Sequence, residues 1–248
     1  MKIIMVHGSW HWGACFQKVS DQLAGAGHAV AMPDLVSHGY DGSAYSSVTT
    51  LLEYIEPVAR MVRGSAEPVM LVGHSMGGVA LTALAELYPE NIAKLIYVTA
   101  FMVPNGGCAN DYILPGPRLQ GAKELFDVVS VVDDGRGLRL DLDNLAGVKA
   151  AFYGDCTDHD VGIAAKNALP VNCTVPNVAV SDITPARFGR IPRTYVECTL
   201  DKAIPIETQR LMTADVPGAS IVTLEASHSP FFSKPKDLAA IILDTVER

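Results

Sequence analysis

Short apolar runs alternate with longer stretches of helical pattern through the first hundred residues. Ile3–Val6 predicts a buried strand that begins the chain almost at once. Trp12–Ala24 predicts a helix closed by Gly25 and Gly27. Ala29–Leu35 predicts the next strand. Val48–Arg63 has helical periodicity, and Glu67-Pro68 breaks it. Val69–Val72 predicts a strand, Val79–Tyr88 a helix stopped by Pro89, and Ile92–Thr99 another strand. This rhythm predicts a mostly parallel sheet flanked by helices.

From about Pro104 to Arg190 the rhythm is lost. Pro, Gly and Asn cluster at 104–117, and short apolar pieces such as Leu125–Val132 follow. After Ile191-Pro192 it resumes. Thr194–Thr199 and Ile221–Leu224 predict strands; Ile206–Thr213 and Leu238–Val246 predict helices. A segment this long is more than a loop. The expected organisation is therefore one core, residues 1–103 and 191–248, with residues 104–190 inserted as a cap subdomain. Such a cap would sit over the carboxyl ends of the strands, where ligands bind in open α/β sheets.

Composition adds exclusions. The chain has 248 residues, 49% hydrophobic and 19% charged, which suits one compact domain carrying an insertion. Its formal net charge of -8 repels phosphate backbones, so no nucleic-acid partner is expected. No apolar run reaches the roughly 18–20 residues that span a bilayer, so no membrane association is expected. The first apolar run, Ile3–Val6, is too short for a secretion signal. The five cysteines are odd in number and lack metal-ligand spacing. They predict reduced thiols, a cytoplasmic location and no metal site. A homodimer stays open.

Gly73-His74-Ser75-Met76-Gly77 fits the pattern Gly-x-Ser-x-Gly, with an apolar strand before it and a helical pattern after it. A serine on such a sharp turn is lifted above the sheet edge. Glycines two before and two after let strand and helix approach each other. The helix that starts there aims its free N–H groups and positive end at the hydroxyl. Ser75 is the candidate nucleophile.

A serine hydroxyl needs a base. In chains of this pattern the order is Ser, acid, His. Only His159 and His228 follow Ser75, and His159 lies in the irregular insertion. His228 directly follows the last strand, in a loop over the carboxyl edge of the sheet. It is the candidate base. Asp201 ends the segment after strand Thr194–Thr199 and is the candidate acid, placed to hold the imidazole in its working tautomer. Glu197 and Glu225 lie within strands.

Acyl transfer also needs donors for an oxyanion. The N–H of Met76 is one candidate. Ser9, in the turn His7-Gly8-Ser9-Trp10 after the first strand, is the other. His7 and His38-Gly39 read as structural. Trp10, His11 and Trp12 fit a helix start or a pocket wall equally.

With these residues in place, the chain resembles one branch of the α/β-hydrolases. That branch holds plant methylesterases, hydroxynitrile lyases and related bacterial carboxylesterases. The resemblance rests on His7-Gly8-Ser9-Trp10, Gly73 to Gly78, Cys198-Thr199-Leu200-Asp201-Lys202 and Ser227-His228. Phe152-Tyr153-Gly154-Asp155-Cys156-Thr157 with Asp160-Val161 is similar to a cap segment of the branch. The resemblance implies an α/β-hydrolase fold and a cofactor-free enzyme with an acyl-enzyme intermediate. It maps the catalytic positions to Ser75, Asp201 and His228, with Ser9 and Met76 at the oxyanion. The lyases of this branch carry a lysine directly after the catalytic histidine. Ser229 stands there, which disfavours lyase chemistry. They also carry a hydroxyl at the position of Ser9, which keeps that alternative in view.

The resulting expectation is a serine carboxylesterase for medium-sized hydrophobic carboxylic esters. The alternatives are cyanohydrin cleavage or lactone opening at the same residues, and a small-molecule receptor. Trp10, His74, Phe101, Tyr112, Phe126, Phe152 and Ser229 are the candidate substrate contacts, with Met102, Ile113, Leu125 and Tyr153 also available. No cluster of Arg or Lys in these regions suggests a phosphate or CoA substrate.

Overall fold

The computed structural model describes residues 1–247. The chain opens with β1 (Lys2–Val6), a 3-10 turn at Gly13–Phe16, α1 (Gln17–Gly25) and β2 (Ala29–Ala31). Then come α2 (Leu51–Arg63), β3 (Val69–Ser75), α3 (Gly77–Leu87) and β4 (Ile92–Ala100). The insertion carries α4 (Asn110–Ile113), α5 (Lys123–Phe126), β5 (Val129–Val132) and β6 (Gly137–Leu140). It continues with α6 (Leu145–Phe152), α7 (Asp158–Asn167), β7 (Val171–Cys173) and α8 (Val175–Val178). The core resumes with β8 (Arg193–Cys198), α9 (Ile206–Asp215), β9 (Ala219–Leu224), α10 (Pro230–Ser233) and α11 (Pro235–Glu247).

Six strands form one sheet in the order β2-β1-β3-β4-β8-β9, every pair parallel. From β1 the chain moves to one side for β2, then crosses to the other side for β3. The order therefore reverses between β1 and β3, and the loops leaving these two strands diverge to open a crevice. The loop holding Ser9 and the turn holding Ser75 flank it.

Side chains alternate across the sheet. Ile4, Val6, Val69 and Leu71 pack on one face with Tyr54 and Val58 of α2 and Leu81 and Leu84 of α3. Ile3, Met5, Met70 and Val72 pack on the other with Val19 and Leu23 of α1 and Leu238 and Ile242 of α11. All seven residues of β3 are buried, so the strand carrying Ser75 is covered on both faces. α2 starts on a reciprocal cap in which Thr50 accepts the Glu53 N–H and Glu53 takes the Thr50 N–H.

Three expectations shift. The strand expected at Ala29–Leu35 is only Ala29–Ala31. Pro33 has no N–H to give a neighbouring strand, and the Leu35 N–H goes to His7 Nε2 rather than to the sheet. The helix expected at Trp12–Ala24 divides into the 3-10 turn and α1. The irregular insertion contains its own antiparallel sheet, β5-β6-β7. β5 and β6 join through Asp133, Asp134 and Gly135, all at positive φ (50°, 52° and 88°).

Candidate active site

β3 ends at Ser75 with φ of 53°, a left-handed conformation that a serine adopts only under constraint. The constraint is close approach. A Cβ on Gly77 would lie 2.6 Å from the Val6 carbonyl oxygen, so only glycine lets α3 start against β1 here. Ser75 therefore leaves the sheet at the crevice, with Met76 as the N-cap of α3 behind it.

His228 and Asp201 come from the loops after β9 and β8, adjacent strands of the sheet. His228 Nδ1 donates to Asp201 Oδ2 at 2.7 Å, and both residues are buried. The same oxygen accepts the Thr99 hydroxyl at 2.5 Å. Asp201 Oδ1 accepts the N–H groups of Ala203 and Ile204 at 2.8 and 2.9 Å. Four donors thus fix the carboxylate, and the carboxylate fixes Nδ1 as the protonated nitrogen. Nε2 is left as an acceptor in the pocket that His228 and Ser75 both line. Ser75 Oγ and the ring are not in hydrogen-bonding geometry with each other. Such contacts commonly tighten when substrate binds.

The His228 loop is held on three sides. His74 Nε2 donates to the His228 carbonyl at 2.8 Å. Ser227 Oγ donates to the Asp155 carboxylate, and Cys156 Sγ lies 3.8 Å from the Ser229 carbonyl. Phe152 of α6 meets the His228 ring edge-on at 5.5 Å. The insertion thus supports the candidate base directly.

Ser9 and Met76 line the same pocket. Neither backbone N–H is spent on a hydrogen bond within the chain. The Ser9 loop is pinned by its neighbours. His7 Nδ1 donates to the Gly8 carbonyl while Nε2 accepts the Leu35 N–H, so His7 is neutral and structural. Burial, reinforced by His38, holds its pKa well below the usual histidine value. His11 bridges the Ser9 carbonyl and the Tyr153 hydroxyl, and burial pushes its pKa down to about 3. Trp10 sits at φ of 60°; its indole N–H donates to the Leu138 carbonyl of β6 at 3.1 Å. Its own carbonyl accepts the Leu169 N–H. One residue therefore joins the loop after β1 to the insertion at two points.

The pocket has about 270 Å³ of free space. Of the residues expected there, Ser9, Trp10, Ser75, Met76, Phe101, Ile113, Leu125, Phe126, Phe152 and His228 line it. Five others stand outside, Met102 and Tyr153 among them. His74 lies behind His228, stacked against it with ring centroids 4.6 Å apart. Tyr112 donates to Asp215 at 2.6 Å and anchors α4 to α9. Ser229 is fully buried beside His228 and does not reach the cavity. Sequence reasoning misses Leu138, Asn177, Ala203 and Ile204. Ala203 and Ile204 could have been found, because they follow Asp201 and give it their N–H groups. Apart from His228, no ionisable side chain lines the cavity. Among the described residues no group of His, Cys, Asp and Glu is placed to hold a metal ion, and no helix is long and apolar enough to cross a membrane.

The chain is similar to known proteins along nearly its whole length. A profile of the Alpha/beta hydrolase family matches residues 3–241. A pyrethroid hydrolase of Sphingobium wenxiniae is 35% identical over 243 residues, covering 98% of this chain and 86% of that protein. Methylesterase 7 of Arabidopsis thaliana is 28% identical, over 100% of this chain and 96% of its own length. The crystal structure of a pyrethroid hydrolase from Sphingobium faniae superposes with a TM-score of 0.94 at 32% identity, covering 100% of this chain and 97% of that one.

Proposed function

Because the chain belongs to the alpha/beta hydrolase family, we propose that it is a serine carboxylesterase for medium-sized, uncharged, hydrophobic esters. Ser75 attacks the ester carbonyl while His228 Nε2 takes its proton. Asp201 stabilises the imidazolium that forms. The N–H groups of Ser9 and Met76 receive the developing oxyanion. His228 then protonates the departing alcohol, and an acyl group remains on Ser75. Water, deprotonated by His228, releases the acid and restores the serine.

One observation carries this reading: Ser75 on its left-handed turn and His228, held by the buried Asp201, line one cavity. The substrate class follows from the walls. Phe101, Phe126, Leu138 and Phe152 offer apolar surface, and no Arg, Lys, Asp or Glu is there to receive a charged group. A cyanide leaving group would likewise find no lysine, which favours hydrolysis over lyase chemistry. The relatives support the same class, being a pyrethroid hydrolase and methylesterases. Residues 104–190 act as the cap that shapes the acyl and alcohol sites.

The test is turnover of p-nitrophenyl esters by the wild type and Ser75→Ala, with fluorophosphonate labelling in parallel. Turnover and labelling that both vanish in the variant are expected. Equal rates in the two proteins, or a folded wild type that resists the label, would end the proposal.

A further inference from the structure

The wall of the pocket is apolar with one buried exception on the insertion. Asn177 lies on α8, is 4% exposed and lines the cavity. Its Oδ1 is sealed from solvent and has no hydrogen-bond partner. The rest of its surroundings is satisfied. Thr174, also a lining residue, gives its hydroxyl to the Gly135 carbonyl and its N–H to the Arg136 carbonyl. The Asn177 N–H bonds to the Thr174 carbonyl. α8 is therefore tied to the β5–β6 turn, while the Asn177 side-chain amide has nothing to bond and is free to turn.

A buried amide without a partner is unfavourable, and folds rarely keep one in an apolar wall. Ser9 Oγ is the other unpartnered buried polar atom among the lining residues, but it belongs to the oxyanion loop beside Ser75. Asn177 enters from the insertion, so it addresses a different part of the ligand. A charged partner is excluded, because an amide cannot neutralise it and no ionisable neighbour but His228 lines the cavity. A hydroxyl fits: once the unbonded amide turns its oxygen to the cavity, the hydroxyl gives a proton to Oδ1 and accepts one from Nδ2.

We infer that Asn177 is a specificity-determining residue that binds a neutral hydroxyl group on the hydrophobic frame of the ester, away from the scissile carbonyl. This rests on the esterase reading above and narrows its substrate class. The preferred ester is a hydroxylated one rather than a pure hydrocarbon of the same shape. A site built to bond a hydroxyl rejects the analogue without it far more strongly than an apolar pocket rejects an added methyl.

The experiment uses benzyl phenylacetate as the frame. One hydroxyl is moved around each ring in turn, and each ester is paired with its methyl isostere. The readout is the ratio of kcat/KM within each pair, not the absolute rate. For at least one ring position the wild type should favour the hydroxyl ester by about tenfold or more. Asn177→Leu should collapse that ratio; if it fails to fold, Asn177→Ala carries the same comparison. A wild type with no preference at any position overturns the assignment, as does a preference that survives the substitution. A wild type that hydrolyses no ester of the panel and no p-nitrophenyl ester instead brings down the esterase reading, and the assignment with it.

Discussion

A Cβ built on Gly8 would sit 2.6 Å from the Cβ of Ser75 and 3.1 Å from its Oγ. The loop after β1 and the turn after β3 are thus in contact at the one atom deleted from Gly8. Gly8→Ala should push the two loops apart and spoil the oxyanion geometry while the packed sheet survives. The expected loss in kcat is about 10²–10³-fold. Steady-state turnover of a p-nitrophenyl ester, with circular dichroism to check folding, decides it; near wild-type activity would refute the contact.

Asp201→Asn should be at least as severe. The amide replaces a carboxylate on which four donors converge, and it no longer dictates which His228 nitrogen holds the proton. A drop in kcat of about 10⁴-fold is expected, with KM changed far less. A loss carried by KM alone would contradict the role given to the pair.

Trp10→Phe keeps one aromatic ring but removes the donor to the Leu138 carbonyl and the second ring of the buried indole. The cost is about 1–2 kcal/mol of stability, read from urea unfolding. Because Trp10 adjoins Ser9, kcat should fall as well. An unfolding midpoint equal to that of the wild type would show that the insertion is not held through this bond.

Acid should destabilise the fold before its carboxylates titrate. His7, His11 and His74 are kept neutral chiefly by burial, which lowers all three pKa values, that of His11 to about 3. In the unfolded chain they titrate near the ordinary histidine value of about 6.5. Below that pH the unfolded state binds protons that the folded state refuses, so stability is full above about pH 6.5 and falls as pH drops. Each histidine adds a slope of up to about 1.4 kcal/mol per pH unit. Unfolding free energies measured between pH 7.5 and 5 should decline steadily; a flat profile there would contradict the burial argument.

The parts of this fold that could be read in advance are those where local chemistry and global packing demand the same residues. The Gly73-to-Gly78 turn is one, because the strain at Ser75 and the crowding at Gly77 leave few other sequences. The place of His228 is another, since a loop after the last strand of a parallel sheet emerges at the carboxyl edge. The small antiparallel sheet of the insertion was harder. Its strands are three or four residues long and half exposed, so their apolar pattern is faint. Asp134-Gly135 between two apolar runs was the available hairpin signal. Tyr112 looked like a pocket aromatic, but its hydroxyl is committed to Asp215, a partner 103 residues away. Asn177 gives no local sign at all, because its role depends on which walls face it.

The insertion leaves the core after β4 and returns before β8, and these two strands are hydrogen-bonded neighbours. Its two ends are therefore anchored at adjoining sites on a rigid sheet. An exchange between Pro104 and Arg190 leaves untouched the strand order that sets Ser75, Asp201 and His228, but the replacement must rebuild what Leu138, Phe152, Asp155 and Cys156 do for the Trp10 and His228 loops. Variation confined to that span changes the cavity wall and the support of His228 together, while the six-stranded core keeps its order.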